Sequence, residues 1–482
     1  MKDKDVIIRE LISQVEALTK RVDRLEAANR RLEAQNHHLW TENQSLRDEM
    51  ARLKKNSSNS SKPPSSDIVK PAKPPLAQPS NGKAGGQPGH AKYERTPFRP
   101  EQINRTRKYE LSKKDAAGLK PLNEWHVVQQ IELRKRPLWI VEYRARKYRD
   151  PVTGRIVIAP LPPEVIRGGL VGWRLSALIA YQKSACHMSY ATIQSFLKDV
   201  FGLCLSTGQL AKVVQKASAA LAGPYEELRV ALASQGSLGI DETGHPENAD
   251  NLWTWCFRAE DFTVFHIDPS RGSQVLKDVL GETFGGVIGG DYFSAYRAYR
   301  AESGGLVQFC LAHLIREIRF LAEHPDRWVS AWGQKLLAWL RKLFHTLHRR
   351  ETLTGAGFAR SMGRIRRNFL KLARRPPPHS EAAPLAKRFQ DRKTAEAYFT
   401  FLTTPNVEPT NNRTERALRP VVIDRRITQG TRGQRGRRWC ERAWTVLTTC
   451  RDQSRSAFEF LCQSMRAHLT NLPAPSLLPM PP

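Results

Sequence analysis

The chain has 482 residues, with 77 Lys or Arg against 47 Asp or Glu and a formal net charge of +30. That length suits about three domains and a sizeable core, and the charge calls for a polyanionic partner, most simply nucleic acid. The chain is too long and too rich in Trp for a ribosomal-type protein, no apolar run reaches the ~18 residues of a membrane span, MKDKDVIIRE has no secretory apolar region, and seven scattered cysteines without a CxxC pair suit a reducing cytoplasm.

Residues 1–56 carry a heptad repeat. Leu11, Leu18, Leu25, Leu32, Leu39, Leu46 and Leu53 stand at d; Ile8, Val15, Val22, Asn29, Asn36, Asn43 and Met50 stand at a. β-Branched residues at a with Leu at d predict a parallel two-stranded coiled coil, and the three Asn fix its register and strand number. The pairs Arg21–Glu26, Glu42–Arg47 and Glu49–Lys54 are complementary between g and e′. A basic-zipper factor is excluded, because no basic helix precedes Ile8. Residues 57–100 are rich in Ser, Pro, Gly and Lys and read as a disordered basic linker.

Residues 101–232 read as a small DNA-binding region. Alternation from Glu124 to Tyr148 predicts two strands of a basic sheet, with Trp125, Val127, Ile131, Trp139, Val141 and Tyr143 as its core. From Trp173 the pattern turns helical. MSYATIQSFLKDVFGLCLSTGQLAKVVQKA predicts a helix, a Gly-containing turn and a second helix capped by Ser206 or Thr207, which is helix-turn-helix-like. An ordinary helical hairpin fits equally well.

Residues 233–463 read as a catalytic domain, followed by a Pro-rich tail at 464–482. SLGIDETG, 237–244, is a strand: Leu238, Ile240 and Glu242 share one face, Gly239, Asp241 and Thr243 the other. NLWTWCFR and FTVFHID give strands two and three, GGVIGG leads strand four to Asp291, and LVQFC is strand five. A helix is expected over 311–322, then a basic helical insertion at about 324–405. In PTNNRTERALRP, Thr410 is the expected N-cap and Pro420 the helix end, with Asn411, Asn412, Glu415 and Arg419 on one face. The loop around Arg432, Arg435, Arg437 and Arg438 either meets phosphate or is a solvated basic loop. Cys310 and His313 have ligand-type spacing, but a packing or helix-start role is favoured over metal. Asp on strand one, Asp after strand four and Glu on a late helix is the order of an RNase H-like phosphoryl-transfer fold.

GIDETG, GGDYFSAY, CLAHLIRE and NNRTERALRPVV, with NSSNSSKPPSSD and GGQPGH upstream, resemble the DDE transposases of the insertion sequence 66 family. The resemblance covers nearly the whole chain and is most specific in the NNRTERALRP block. It implies an α+β multidomain enzyme in which Asp241, Asp291 and Glu415 are the catalytic residues and bind two Mg2+, with Mn2+ expected to substitute. Asn411, Asn412, Arg416 and Arg419 would support them or touch phosphate. The implied reaction is binding of the mobile element's ends, cleavage to a 3′-OH and transfer to target DNA. The implied partners are that DNA, a second copy or more through the coiled coil, and accessory proteins of the element, in a bacterial, nucleoid-associated setting without membrane. One family feature is missing: the cysteine zinc finger has no counterpart, since no Cys precedes Cys186. A nuclease or resolvase that cuts without joining, and a non-catalytic DNA-binding relic, are the alternatives.

Overall fold

A computed structural model of the chain describes residues 2–56, 59, 97–112, 114–115, 126–131, 133 and 137–478. Most of the linker expected at 57–100, and Trp125, lie outside the described residues. The chain divides into two units: Met1–Pro71, Pro162–Gln194 and Ser206–Pro482 form one, Ala72–Leu161 and Ser195–Leu205 the other.

In the smaller unit, β1 (Lys147–Arg149) pairs antiparallel with β2 (Ile156–Ile158). The turn between them is organised by Asp150, whose carboxylate accepts the Val152 and Thr153 amides and the Thr153 hydroxyl. The two strands expected over Glu124–Tyr148 do not form among the described residues; only the final Lys147 and Tyr148 join a strand. Of the expected core, Val127, Ile131, Trp139, Val141 and Tyr143 are all exposed. Alternation supplies one apolar face, but burial needs a second layer against it, and the described residues of this unit supply none.

The larger unit begins with α1 (Lys2–Leu53), a single long helix. α2 (Pro163–Gly168), α3 (Trp173–Ser184), α5 (Thr207–Ala220) and α6 (Ala222–Ala231) follow; α4 (Tyr190–Phe201) begins here and ends in the smaller unit. The expected helix, turn and helix are therefore present as α4 and α5, and Ser206 caps α5 by accepting the Gln209 amide. α5 packs on α3 through Leu210, Val213, Val214 and Ala217.

One mixed sheet occupies the centre, in the order β5-β4-β3-β6-β7. β3 (Ser237–Glu247), β4 (Asp250–Arg258) and β5 (Thr263–Asp268) are antiparallel; β6 (Val287–Gly290) and β7 (Leu306–Phe309) run parallel to β3. α7 (Gln274–Leu280) and α8 (Ser294–Ser303) lie in the crossovers, and α9 (Leu311–Ala322) follows β7. The insertion consists of α10 (Arg327–His348), α11 (Gly355–Ala373), α12 (Ala383–Gln390) and α13 (Arg392–Ala397). α14 (Asn412–Thr428), α15 (Gln434–Asp452) and α16 (Ala457–Thr470) close the unit.

Three expectations about these helices are corrected. Asn411, not Thr410, precedes α14, and its side chain does not cap the helix. Pro420 does not end α14, which runs eight residues further to Thr428. A proline costs a helix one main-chain hydrogen bond and a steric adjustment. Tertiary contacts beyond it offset that loss: Val421 is buried, and Asp424 meets His187 Nδ1 at 3.1 Å and accepts Trp444 Nε1–H at 3.2 Å. Left-handed Gln429 (φ 57°) then stops the helix. Finally, residues 464–470 are not tail: α16 buries Ser464, Met465 and Leu469.

Candidate active site

β3 places Leu238 and Ile240 in the core and leaves Gly239, Asp241 and Thr243 on the opposite face, where α14 lies. The glycine makes this approach possible: a Cβ at Gly239 would overlap the Thr414 hydroxyl and stand 3.0 Å from Asn411 Oδ1. Asn411 Nδ2 donates to the Ile240 carbonyl at 2.8 Å, and Arg425 Nη1 donates to Thr243 Oγ1 at 3.1 Å. Both ends of α14 are thus fastened to the strand that carries Asp241, which fixes the position of Glu415 on the first turn.

Asp291 lies just past β6, the parallel neighbour of β3, with Gly289 in register with Gly239. Its Oδ1 accepts the Phe293 amide at 3.0 Å. Burial, Glu242 and then Asp291 and Glu415 hold the Asp241 carboxyl well above the usual carboxylate range. Burial and Glu242 push Asp291 up to about 6, against the opposing Phe293 amide and Arg271. Asp241 therefore senses both Asp291 and Glu415, although the three carboxylates do not converge within 4.8 Å of one another as Glu415 does with Cys310 and His313. Glu415 touches α9: Arg316 Nη2 is 3.5 Å from Oε2, and His313 Nδ1 is 3.8 Å from Oε1. Burial and Arg316 push His313 down to about 4, so its ring is neutral at pH 7. Glu415 Oε1 is buried and has no hydrogen-bond partner.

Two parts of the site go beyond what the sequence signalled. Glu242, on the core face of β3, receives Arg271 at 2.7 and 3.0 Å and the Tyr296 hydroxyl at 2.6 Å. Arg271 is sandwiched between the Trp253 and Phe293 rings, 4.3 Å from each centroid. Only the spatial pairing of distant residues reveals this support.

The second is Cys310. Its amide donates to the Gly290 carbonyl at 2.7 Å, next to Asp291, and its Sγ accepts the Asn411 amide at 3.1 Å, next to α14. It also begins α9, so the helix-start expectation agrees with the structure. Its sulfur, the His313 ring and Glu415 lie within 4.8 Å of one another, a third ligand-type group that the spacing of Cys310 and His313 did not suggest. Cys310 thus joins the segments bearing Asp291 and Glu415. Cys310→Ala, which leaves the Asn411 amide without its acceptor, should cost about 1–3 kcal/mol of stability, whereas Cys310→Ser should recover part of it. Equal urea midpoints for the two variants would remove this role.

Residues 168–438, more than half of the chain, match the model of the transposase IS66 family. The chain belongs to the IS66 family of transposases. Residues 2–96 match a family of unknown function (DUF6444), and no curated protein matches the chain.

The transposase distributes its expected DNA-contact residues unevenly. Asn412, Arg416 and Arg419 are exposed on α14, whereas Asn411 is buried and spent on β3. Arg419 does not share the Glu415 environment; with Arg258, Arg413, Arg416 and Arg451 it lines a recess of about 440 Å³. Arg432, Arg435 and Arg438 are exposed, but Arg437 is paired with Glu247 at 3.2 Å. The loop before α15 is not freely solvated. Thr431 forms a parallel bridge with Glu247, donates its hydroxyl to that carboxylate at 2.6 Å and meets His245 Nε2 at 3.0 Å. No helix among the described residues is long and apolar enough to cross a membrane.

Proposed function

We propose that this transposase is a DDE enzyme with an RNase H-like catalytic domain, acting on the ends of its mobile element. Three antiparallel strands followed by two parallel ones, with acidic residues on the first, after the fourth and on a late helix, support that fold. The observation that carries the reading is the strain on Asp241: burial, then Glu242, Asp291 and Glu415, hold its carboxyl well above the usual range, and Glu415 Oε1 has no hydrogen-bond partner. Such a donor set fits a hard divalent cation, because Mg2+ takes carboxylate oxygens.

Asp241, Asp291 and Glu415 are the residues that hold Mg2+ or, as a substitute, Mn2+. Two such ions, when bound, neutralise the charge developing in phosphodiester displacement. The chain's own contribution is positional. Asn411 and Thr414 seat α14 on β3, and Arg316 orients Glu415. Exposed Asn412, Arg416, Arg419, Arg432, Arg435 and Arg438 receive phosphates. The products are a 3′-OH at the element end and its transfer to target DNA. α4 and α5 read the DNA in helix-turn-helix fashion, α1 joins two copies, accessory proteins of the element assist, and the setting is the bacterial cytoplasm at the nucleoid.

The test uses the full chain, duplexes ending in the element's terminal repeat, and target DNA. Mg2+ should give 3′-OH ends and joined products; a chelator should stop both while a gel shift of the ends persists. Cleavage without joining would make the protein a nuclease, and no cleavage with any divalent ion would sink the assignment.

A further inference from the structure

α1 lies within residues 2–96, which match a family of unknown function. Every described leucine of its d stripe is more than half exposed, as are Val15 and Val22 at a. Yet the end of α1 is not free on all sides. Gln44, Asp48, Ala51 and Lys55 lose exposure, at heptad positions b, f, b and f. These positions lie opposite the a and d seam. They face the insertion and the end of α9: Gln44 Nε2 donates to Asp326 at 3.3 Å, Arg52 Nε to Glu381 at 2.8 Å, and Lys55 sits 4.5 Å over the Phe320 ring.

The centre of this contact is Asp48 between two histidines. Its Oδ1 lies 3.1 Å from His379 Nε2 and 3.6 Å from His324 Nε2; the two imidazoles are 6% and 0% exposed. Oδ2 accepts the Ser380 hydroxyl at 3.1 Å. The three groups have the composition of a metal site, but the other ring nitrogens decide otherwise. The Asp326 amide donates to His324 Nδ1 at 3.1 Å, and the Glu381 amide donates to His379 Nδ1 at 3.2 Å. A neutral ring that accepts at Nδ1 carries its proton on Nε2. Both rings therefore carry their protons on Nε2 beside one carboxylate oxygen, close enough for electrostatic attraction but without hydrogen-bond geometry, and neither offers a lone pair to a cation there.

We propose that α1 is a two-faced connector: its b and f face is latched to the insertion through Asp48, while its leucine stripe pairs in parallel with the stripe of a second copy. The inference takes over the zipper pairing proposed above and adds that the zipper is rigidly joined to the catalytic unit. The g to e′ charges match in register with an identical helix, and Asn29, Asn36 and Asn43 meet their own counterparts in that register. Docking and pairing use opposite faces, so one does not block the other. Two catalytic domains are then held at a fixed mutual placement and not merely tethered.

The test uses the full chain, with an unnatural-amino-acid spin label at exposed Lys335 of the insertion. Light scattering should give a dimer, and pulsed electron resonance a narrow distance distribution. Asp48→Leu should stay dimeric, broaden that distribution, and lower hydrogen-exchange protection of residues 44–56 about tenfold, the order expected for one charge-assisted hydrogen bond. Leu25→Lys with Leu32→Lys should give monomers whose 44–56 segment keeps its protection. A wild-type monomer would overturn the pairing. A narrow distribution in Asp48→Leu would overturn the latch. Stoichiometric zinc that disappears in His379→Ala would overturn the metal-free reading of this contact. None of these readouts depends on DNA cleavage, so their failure is distinct from failure of the enzymatic reading.

Discussion

Asp291→Asn should lose at least about 10³-fold in cleavage rate and at the same time make the metal-free protein harder to unfold. On the proposed mechanism, the loss follows from removing a residue that would hold the charge-stabilising ions, each worth several kcal/mol at the transition state. The gain follows from linkage. Asp291 titrates at about 6 in the folded chain, against ~3.9 for an unperturbed Asp. Because the folded carboxyl is raised, the folded state binds the proton more tightly. Stability is highest below the unfolded value and falls as pH rises through about 6. Above that, the ionised carboxylate costs on the order of 2–3 kcal/mol, which asparagine does not. Asp241→Asn and Glu415→Gln should lose cleavage similarly. Urea midpoints at pH 7.5 and pH 5, with a cleavage time course, check the pair of effects. An Asp291→Asn protein that retains near wild-type cleavage, or whose midpoint drops at pH 7.5, would count against the site.

Gly239→Ala should be almost as damaging although it alters no functional group. The new methyl would overlap the Thr414 hydroxyl, so α14 must move off β3 and carry Glu415 with it. Misplacement by ~1 Å costs about 10²-fold in rate, and the overpacking a further 1–3 kcal/mol in stability. Gly244→Ala is the control on the same strand, since its nearest neighbour is Arg425 Nη1 at 3.9 Å. Gly239→Ala combined with Thr414→Ala should recover much of the activity, because the overlapped oxygen is then gone. Full activity in the single variant, or no recovery in the double one, would mean that the seating of α14 on β3 does not position Glu415.

Much of the larger unit could be read directly from the chain. Strands of alternating apolar residues bounded by glycines gave β3 to β7, and the apolar pattern of LAHLIREIRFLA gave α9 at its observed limits. The heptad gave α1, because a period of 3.5 over seven heptads has few other meanings. Legibility failed where a feature depends on what lies opposite. Trp139 and Val127 alternate correctly, yet no layer covers them among the described residues. Pro420 carries a strong stop signal, which buried Val421 and Asp424 override. Arg437 looked like one phosphate ligand among several until Glu247 was found beside it. Glu242 passed for a neighbour of Asp241, whereas Arg271 and Tyr296 hold it as a fixed charge beneath the site. In each case the deciding partner is distant in sequence.

The position of α14 has a consequence for biosynthesis. Glu415 lies beyond the whole insertion, while Asp241 and Asp291 precede it. A ribosome delivers the chain from its N-terminus, so the first two carboxylates emerge long before the third. The helix that bears Glu415 is seated only when Asn411 reaches Ile240 and its far end reaches Thr243. A nascent or prematurely ended chain that stops within the insertion can present its zipper and its α4 and α5 helices but no complete acidic trio. If the proposed pairing and DNA contacts hold, such fragments pair with the intact protein and occupy its DNA without cutting, so truncation alone turns this chain into its own competitor.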